Sequence, residues 1–134
     1  MAEPHQPFPP KHTLRLILLP MLATCVGLRL YLHLVHVQHV YPGGYLVHHL
    51  FIGVLIEIPA AFLLAFGTRS RLQAILAPVA LGIGSGMILD EVTYLVMTKA
   101  SDQDYVSCIS LGGATIFVFL ATVLLLILYR SRRN

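Results

Sequence analysis

Long apolar stretches, separated by short polar or glycine-rich breaks, dominate the chain. They cover residues 14–35, 45–66, 72–97 and 106–129. An α-helix rises about 1.5 Å per residue, so about 20 residues cross a hydrocarbon core that is about 30 Å thick. Buried helices of a soluble protein would be shorter and would carry polar faces, and transmembrane β-strands would be short and alternating. The pattern therefore predicts an all-α integral membrane protein, a bundle of four transmembrane helices.

The segments between these spans have the composition of loops. Residues 41–44 read Tyr-Pro-Gly-Gly, a strong turn signal, and Gly67 is well placed to end the second helix. A proline inside each of the first three spans is expected to kink its helix, because neighbouring helices can accommodate the lost hydrogen bond. The proline-rich residues 1–13 predict a flexible tail, and residues 130–134 form a basic one.

The first span has some features of a cleavable signal sequence. Lys11 and Arg15 precede an apolar run, which is the order of charges and apolar residues in such sequences. Residues 22–25, Leu-Ala-Thr-Cys, also resemble a lipoprotein cleavage site, although Thr is a poor residue before the Cys. Because the apolar run continues past Cys25, we expect a retained transmembrane helix.

Composition and charge agree with a membrane protein. The chain is 57% hydrophobic and 11% charged, whereas soluble domains carry about a quarter charged residues. With both termini cytoplasmic, only Lys99 among the basic residues lies outside, which satisfies the positive-inside rule. The inner basic residues are Lys11, Arg15, Arg69, Arg71, Arg130, Arg132 and Arg133. The net charge of +3 thus reflects topology and indicates no nucleic-acid partner. We expect a multi-pass protein of the cell membrane, specifically of a bacterial inner membrane.

Ionisable residues cluster in the half of the bundle that this topology places near the outer surface. Five of the seven histidines lie within residues 33–49. Counting from the outer helix ends puts Arg29 at the depth of Asp90 and Glu91, and Glu57 nearer the midplane. A charge at a helix centre costs about 2.5–3.5 kcal/mol on insertion scales. These groups must therefore be paired, protonated, hydrated or metal-bound, and we expect Arg29 to pair with Asp90 or Glu91.

Helical spacing places several of these residues on shared faces. Arg29, His33 and His36 form one stripe of the first helix, and His49 lies on the same side of the second helix as Glu57. Consecutive residues on a helix point about 100° apart. We therefore expect only one residue of the His48-His49 pair, His49, to face the site. Of the two carboxylates of the third helix, we expect one to be held by Arg29 and the other to be free for a metal or a proton.

Glycines predict how closely these helices approach. Gly82 and Gly86 form a small-xxx-small pattern on the third helix, in line with Asp90, and such patterns allow close helix packing. Gly84 and Ser85 enrich that side. We expect Gly112-Gly113 on the fourth helix to pack against it.

Three interpretations of the polar set stay open. The first is a metal site, because imidazole with carboxylate suits Zn²⁺, Mn²⁺ or iron; haem held by one histidine from each of the first two helices is a minor variant. The candidate ligands are His33, His36, His48, His49, Asp90 and Glu91. The second is a proton or ion path that uses Glu57, Asp90, Glu91 and the histidines as a relay. The third is a purely structural set of ion pairs and hydrated histidines.

The metal interpretation leads to a specific chemistry. A metal near the outer surface would activate water against a membrane lipid, with Glu57, Asp90 or Glu91 as general base. The leading expectation is a metal-dependent enzyme acting on a membrane lipid; a small proton- or ion-coupled transporter and a non-catalytic scaffold are the alternatives. The fourth helix also has an apolar face fit for lipid or for a second copy of the chain, formed by Phe117, Leu120, Leu124 and Leu128.

Overall fold

All the regular structure in the described residues is helical. The computed structural model describes residues 10–35, 47–67, 70–99 and 101–131. Its helices are α1 (Pro10–Leu34), α2 (His49–Phe66), α3 (Arg71–Met97), α4 (Asp102–Tyr105) and α5 (Cys108–Ser131). Four of them, α1, α2, α3 and α5, are long and apolar enough to cross a membrane. The four-helix prediction is confirmed at that level, and the direction in which the helices insert stays a prediction.

Two helix boundaries differ from the predicted ones, and each difference has a local cause. α1 begins at Pro10, inside the predicted tail, because a proline fits the first turn of a helix, where its missing N–H would have no partner. α5 begins at Cys108, two residues later than predicted. Its start is set by Ser107, whose hydroxyl accepts a hydrogen bond from Ser110 N at 3.3 Å. The first residues of the predicted second span, 45 and 46, lie outside the described residues.

α3 is the central helix of the bundle. It packs against α1, α2 and α5, whereas α1 and α2 do not touch one another within the described segments. The C-terminal ends of α1 and α3 and the N-terminal ends of α2 and α5 come together beside α4. We call this region the α4 end of the bundle.

Close approach of α1 to α3 depends on the predicted glycine pattern. A Cβ on Gly86 would lie 2.7 Å from the backbone oxygen of Met21, and a Cβ on Gly82 would overlap the backbone oxygen of Ile17. Backbone atoms cannot move aside as a flexible side chain can. Gly82 and Gly86 therefore bring the two helices into direct backbone contact, as their spacing predicted.

The other glycines pack differently from the prediction. Gly84 faces α2 instead of α1, and a Cβ on it would lie 2.7 Å from Gly53 O. Residues 84 and 82 are two positions apart, which places them on nearly opposite sides of a helix. Gly113 of α5 meets the side chain of Thr93, and Gly112 faces open space. Of the expected contact with α3, Gly113 therefore makes its part, at Thr93 instead of at a glycine, whereas Gly112 makes none.

Large apolar side chains cover the outside of the bundle. Leu55 is 73% exposed and Phe66 is 88% exposed, values that would be costly in water and suit hydrocarbon. The four residues of the predicted apolar face of α5, Phe117, Leu120, Leu124 and Leu128, are all exposed as well. Contact of this face with lipid or with a second copy stays a prediction.

Candidate functional site

A network of charged and aromatic side chains occupies the α4 end of the bundle. Asp90 is its centre and has no solvent-exposed surface. Arg29 Nε donates to Asp90 Oδ1 at 2.5 Å, and His49 Nε2 lies 3.1 Å from Oδ2. The Tyr105 hydroxyl also donates to Oδ2. One buried carboxylate thus joins α1, α2 and α4 to α3.

The Arg29 guanidinium extends this network to α5. Its Nη1 donates to the Tyr105 carbonyl at 2.7 Å, and its Nη2 donates to the Asp90 carbonyl at 2.7 Å and to Ser110 Oγ at 3.1 Å. The guanidinium carbon lies 4.2 Å from the centre of the Tyr105 ring, a cation–π arrangement. The structure therefore contains the Arg29–Asp90 ion pair that equal depth predicted.

Glu91 is held separately, on the α2 side of α3. Its Oε1 lies 2.7 Å from His48 Nδ1, and its Oε2 accepts from Leu50 N at 2.7 Å. His49 Nδ1 is 3.3 Å from the same oxygen. Glu91 therefore binds the first turn of α2, and the expectation that one carboxylate stays free is wrong.

Both histidines at the start of α2 face the carboxylates. The expectation that only His49 does so is wrong, because it applied helical geometry to a residue outside the helix. His48 is the N-cap, with extended backbone at φ −76° and ψ 141°. Its side chain is therefore released from the 100° rotation between consecutive helical residues.

His49 lies between the two carboxylates. One ring nitrogen faces Asp90 and the other faces Glu91. A neutral imidazole carries a single N–H and can donate to one carboxylate at a time, whereas a protonated imidazole donates to both. The cluster has the groups needed to hold a proton and to pass it between two acidic side chains.

α4 places Tyr105 over the network. Ser101 and Asp104 form a capping box at its start, and hydrogen bonds from Ser101 lower the pKa of the Asp104 carboxyl. Burial, together with the hydrogen bond to Asp90, raises the pKa of Tyr105 well above its usual value. The Tyr105 hydroxyl therefore stays protonated and donates a hydrogen bond to Asp90 at physiological pH.

A groove between α1 and α5 runs up to this network. Its volume is about 710 Å³. Apolar side chains such as Leu22, Val26, Val118 and Phe119 line its length, and Arg29, His33, Asp90 and Tyr105 lie along its lining as well. The groove is thus apolar along its length and polar at the end that meets the network.

The predicted metal ligands are only partly brought together. His48, His49, Asp90 and Glu91 share the network, while His33 is exposed on the groove. His36 lies outside the described residues. Within the part of the chain that the structure describes, no group of three or more His, Cys, Asp or Glu side chains has an arrangement able to hold a metal ion. Metal and haem binding stay predictions.

Glu57 stands apart from the other two proposed catalytic carboxylates. It lies two turns of α2 beyond His49 and faces Ser85 of α3. Its Oε2 is buried and has no hydrogen-bond partner in the described structure. No contact in the described structure joins Glu57 to Asp90 or Glu91, so a catalytic role shared by the three carboxylates stays a prediction.

Tyr105 and Ser110 are the network residues that sequence reasoning missed. Tyr105 lies in the segment between the third and fourth predicted spans and was counted as loop. The one available signal was the Ser-x-x-Asp pattern at residues 101–104, which predicts a helix start and hence a fixed position for Tyr105.

Comparisons of this chain with known proteins find no matching protein family, curated protein or solved structure.

Proposed function

We propose that this protein binds a membrane lipid in the groove between α1 and α5, with the lipid's polar head at the α4 end. The supporting observation is the two-part lining of the groove, apolar along its length and polar at Arg29, His33, Asp90 and Tyr105. A lipid has the same division between chain and head. The volume of about 710 Å³ lies within the range of about 300–1,000 Å³ that is typical of ligand pockets.

Arg29 and His33 are the residues that would meet the lipid head. Arg29 Nη1 carries two N–H groups, and one of them donates to the Tyr105 carbonyl. The other has no acceptor among the residues that the structure describes. Because Arg29 is already paired with Asp90, the end of the groove has little net charge. Its donors suit an acceptor oxygen of the lipid head, from an ester carbonyl or a phosphate.

Chemistry on the bound lipid is the finer part of the proposal. The imidazoles of His48 and His49 and the carboxylates of Asp90 and Glu91 are donors of the type that Zn²⁺, Mn²⁺ or iron take. Every oxygen of these two carboxylates already accepts a hydrogen bond or faces a ring nitrogen. A metal would have to displace those partners, so we place lipid binding first and metal-dependent catalysis second.

The test is photocrosslinking in reconstituted membranes. The probe is a phospholipid with a diazirine in one acyl chain, and the crosslinked peptides are identified by mass spectrometry. Thr115→Trp fills the groove from α5, and Ile116→Trp is its control on the neighbouring, exposed position outside the groove lining. We expect crosslinks to the groove side chains of α1, reduced several-fold by Thr115→Trp and unchanged by Ile116→Trp. Equal reduction in both variants, or no crosslinks to α1, contradicts the proposal.

A metal measurement on the same purified protein separates binding from metal-dependent chemistry. Elemental analysis should give about one divalent ion per chain if the network holds one, and Glu91→Gln should lower that occupancy. Protein without metal that still crosslinks lipid in the groove would support lipid binding and remove metal-dependent catalysis. A protein that shows neither metal nor lipid would leave the network as an ion-pair scaffold.

Orientation decides which leaflet supplies the lipid, and the α4 end is predicted to face outward. Ser101 is exposed beside α4 and can be replaced by Cys in a Cys108→Ala background, because Cys108 is itself exposed. A membrane-impermeant maleimide should label Ser101→Cys from outside intact cells. Labelling only after the membrane is opened would place the site at the inner leaflet.

A further inference from the structure

Glu57 is an acidic side chain in the middle of a long apolar helix. It lies eight residues after the start of α2 and nine before its end, which is about 12 Å and 14 Å at about 1.5 Å per residue. If α2 crosses a membrane, this carboxyl sits close to the midplane. It belongs neither to the groove nor to the network at the α4 end.

The surroundings of Glu57 offer one polar partner. α2 packs against α3 alone among the described helices, and the absence of a Cβ on Gly84 brings α3 to within contact of the Glu57 backbone. The carboxyl faces Ser85, and Oε2 is buried without a hydrogen-bond partner among the residues that the structure describes. No lysine, arginine or histidine of the described chain forms an ion pair with it.

These contacts distinguish the two protonation forms of the side chain. A charge at a helix centre in a bilayer costs about 2.5–3.5 kcal/mol on insertion scales, and no cation among the described residues offsets that cost. A protonated carboxyl carries no charge and can share a hydrogen bond with Ser85, whose hydroxyl both donates and accepts. An unpartnered neutral oxygen is far less costly than an unpartnered charged one.

We propose that Glu57 is a proton-binding site within the membrane span, with Ser85 as its hydrogen-bond partner. The ligand is a single proton, taken up and released by the carboxyl. Among the described helices, α3 packs against α2. Its polar group facing Glu57 is Ser85, which does not titrate in the physiological range. Asp90 and Glu91 on α3 and His49 on α2 lie toward the α4 end, paired with one another. The proposal does not depend on lipid binding in the groove.

A hydrophobic carbodiimide tests this site directly. Dicyclohexylcarbodiimide dissolves in the bilayer and reacts with a protonated carboxyl. The carboxyl oxygen bonds to the central carbon of the reagent and the carboxyl proton moves to one of its nitrogens, so the O–H adds across one C=N bond and no other reactant is needed. We expect mass spectrometry of the treated protein to find an adduct at Glu57. Its rate should fall with rising pH, by up to about tenfold per pH unit once the carboxyl titrates. A water-soluble carbodiimide should react more slowly, because Glu57 lies within the span.

Two variants and a spectroscopic measurement complete the test. Glu57→Gln copies the neutral form, so it should fold normally, give no adduct and lose the infrared carbonyl band of a buried protonated acid. Ser85→Ala should keep the adduct and shift that band, because the hydrogen bond is gone. The infrared comparison needs no reagent access, and Ser85→Ala supplies the comparison if Glu57→Gln fails to fold. Absence of both adduct and band in folded protein at pH 6, or an adduct rate independent of pH from 6 to 9, overturns the proposal.

Discussion

Removal of the Arg29 cation is the perturbation that most directly tests the network at the α4 end. Arg29→Met keeps an unbranched, flexible stem and deletes every hydrogen bond of the guanidinium. It leaves Asp90, which has no exposed surface, without its cation. Breaking a buried ion pair by removing one partner costs about 3–5 kcal/mol. Because the Arg29 side chain is 16% exposed and His49 and Tyr105 still donate to Asp90, we expect the lower end, about 3 kcal/mol.

The assay is unfolding of purified protein in mixed micelles with a denaturing detergent, followed by far-ultraviolet circular dichroism. Arg15→Met is the matched control, since Arg15 lies on the same helix, is exposed, and should change stability by no more than about 0.5 kcal/mol. Adding Asp90→Asn to Arg29→Met should recover part of the loss, because the uncompensated charge is removed. The resulting coupling energy should be about 1–3 kcal/mol.

A cost of less than about 1 kcal/mol for Arg29→Met, the net value of one ordinary hydrogen bond, would contradict a stabilising Arg29–Asp90 pair. A double variant that loses the sum of the two single losses would contradict it as well, because additivity means that the two groups do not interact. Either result would mean that Asp90 is held by His49 and Tyr105 alone and that Arg29 is free for a ligand.

The other predictions use the same unfolding assay. Gly86→Ala puts a Cβ 2.7 Å from a backbone oxygen of α1 and should cost about 1–3 kcal/mol through overpacking. Gly112→Ala, with nothing within 4 Å of its Cβ, should be neutral or stabilising by up to about 1 kcal/mol; equal losses would contradict the close α1–α3 contact. Tyr105→Phe removes the hydroxyl donor to Asp90 and should cost about 1–2 kcal/mol, while Tyr31→Phe at an exposed position should cost little. Because the pKa of Tyr105 is raised in the folded protein, its contribution should be constant below about pH 10, the usual tyrosine value, and decline above it. If the free energy of unfolding of Tyr105→Phe falls as steeply above about pH 10 as that of the unmodified protein, the result would contradict this prediction.

The apolar pattern of the sequence was sufficient to predict the helices. Four stretches of membrane-spanning length predicted the four long helices, since a backbone in hydrocarbon must satisfy its hydrogen bonds internally. Counting residues from the C-terminal ends of α1 and α3, which lie together, was enough to put Arg29 beside Asp90, because helical rise is constant. The spacing of Gly82 and Gly86 likewise predicted a close contact, which α1 makes.

Tertiary structure decided which partner each side chain takes. His48 reaches Glu91 because it precedes α2 instead of belonging to it, and helical periodicity says nothing about a residue outside the helix. Tyr105 reaches Asp90 because α4 folds back over the bundle, a placement that depends on contacts distant in sequence. Among the described residues, Glu57 has Ser85 as its polar neighbour, because α2 packs only on α3 there. Sequence periodicity determines which residues lie at one depth and on one face, whereas the packing of α1, α2, α4 and α5 against α3 determines which ionisable side chains of the described residues are paired.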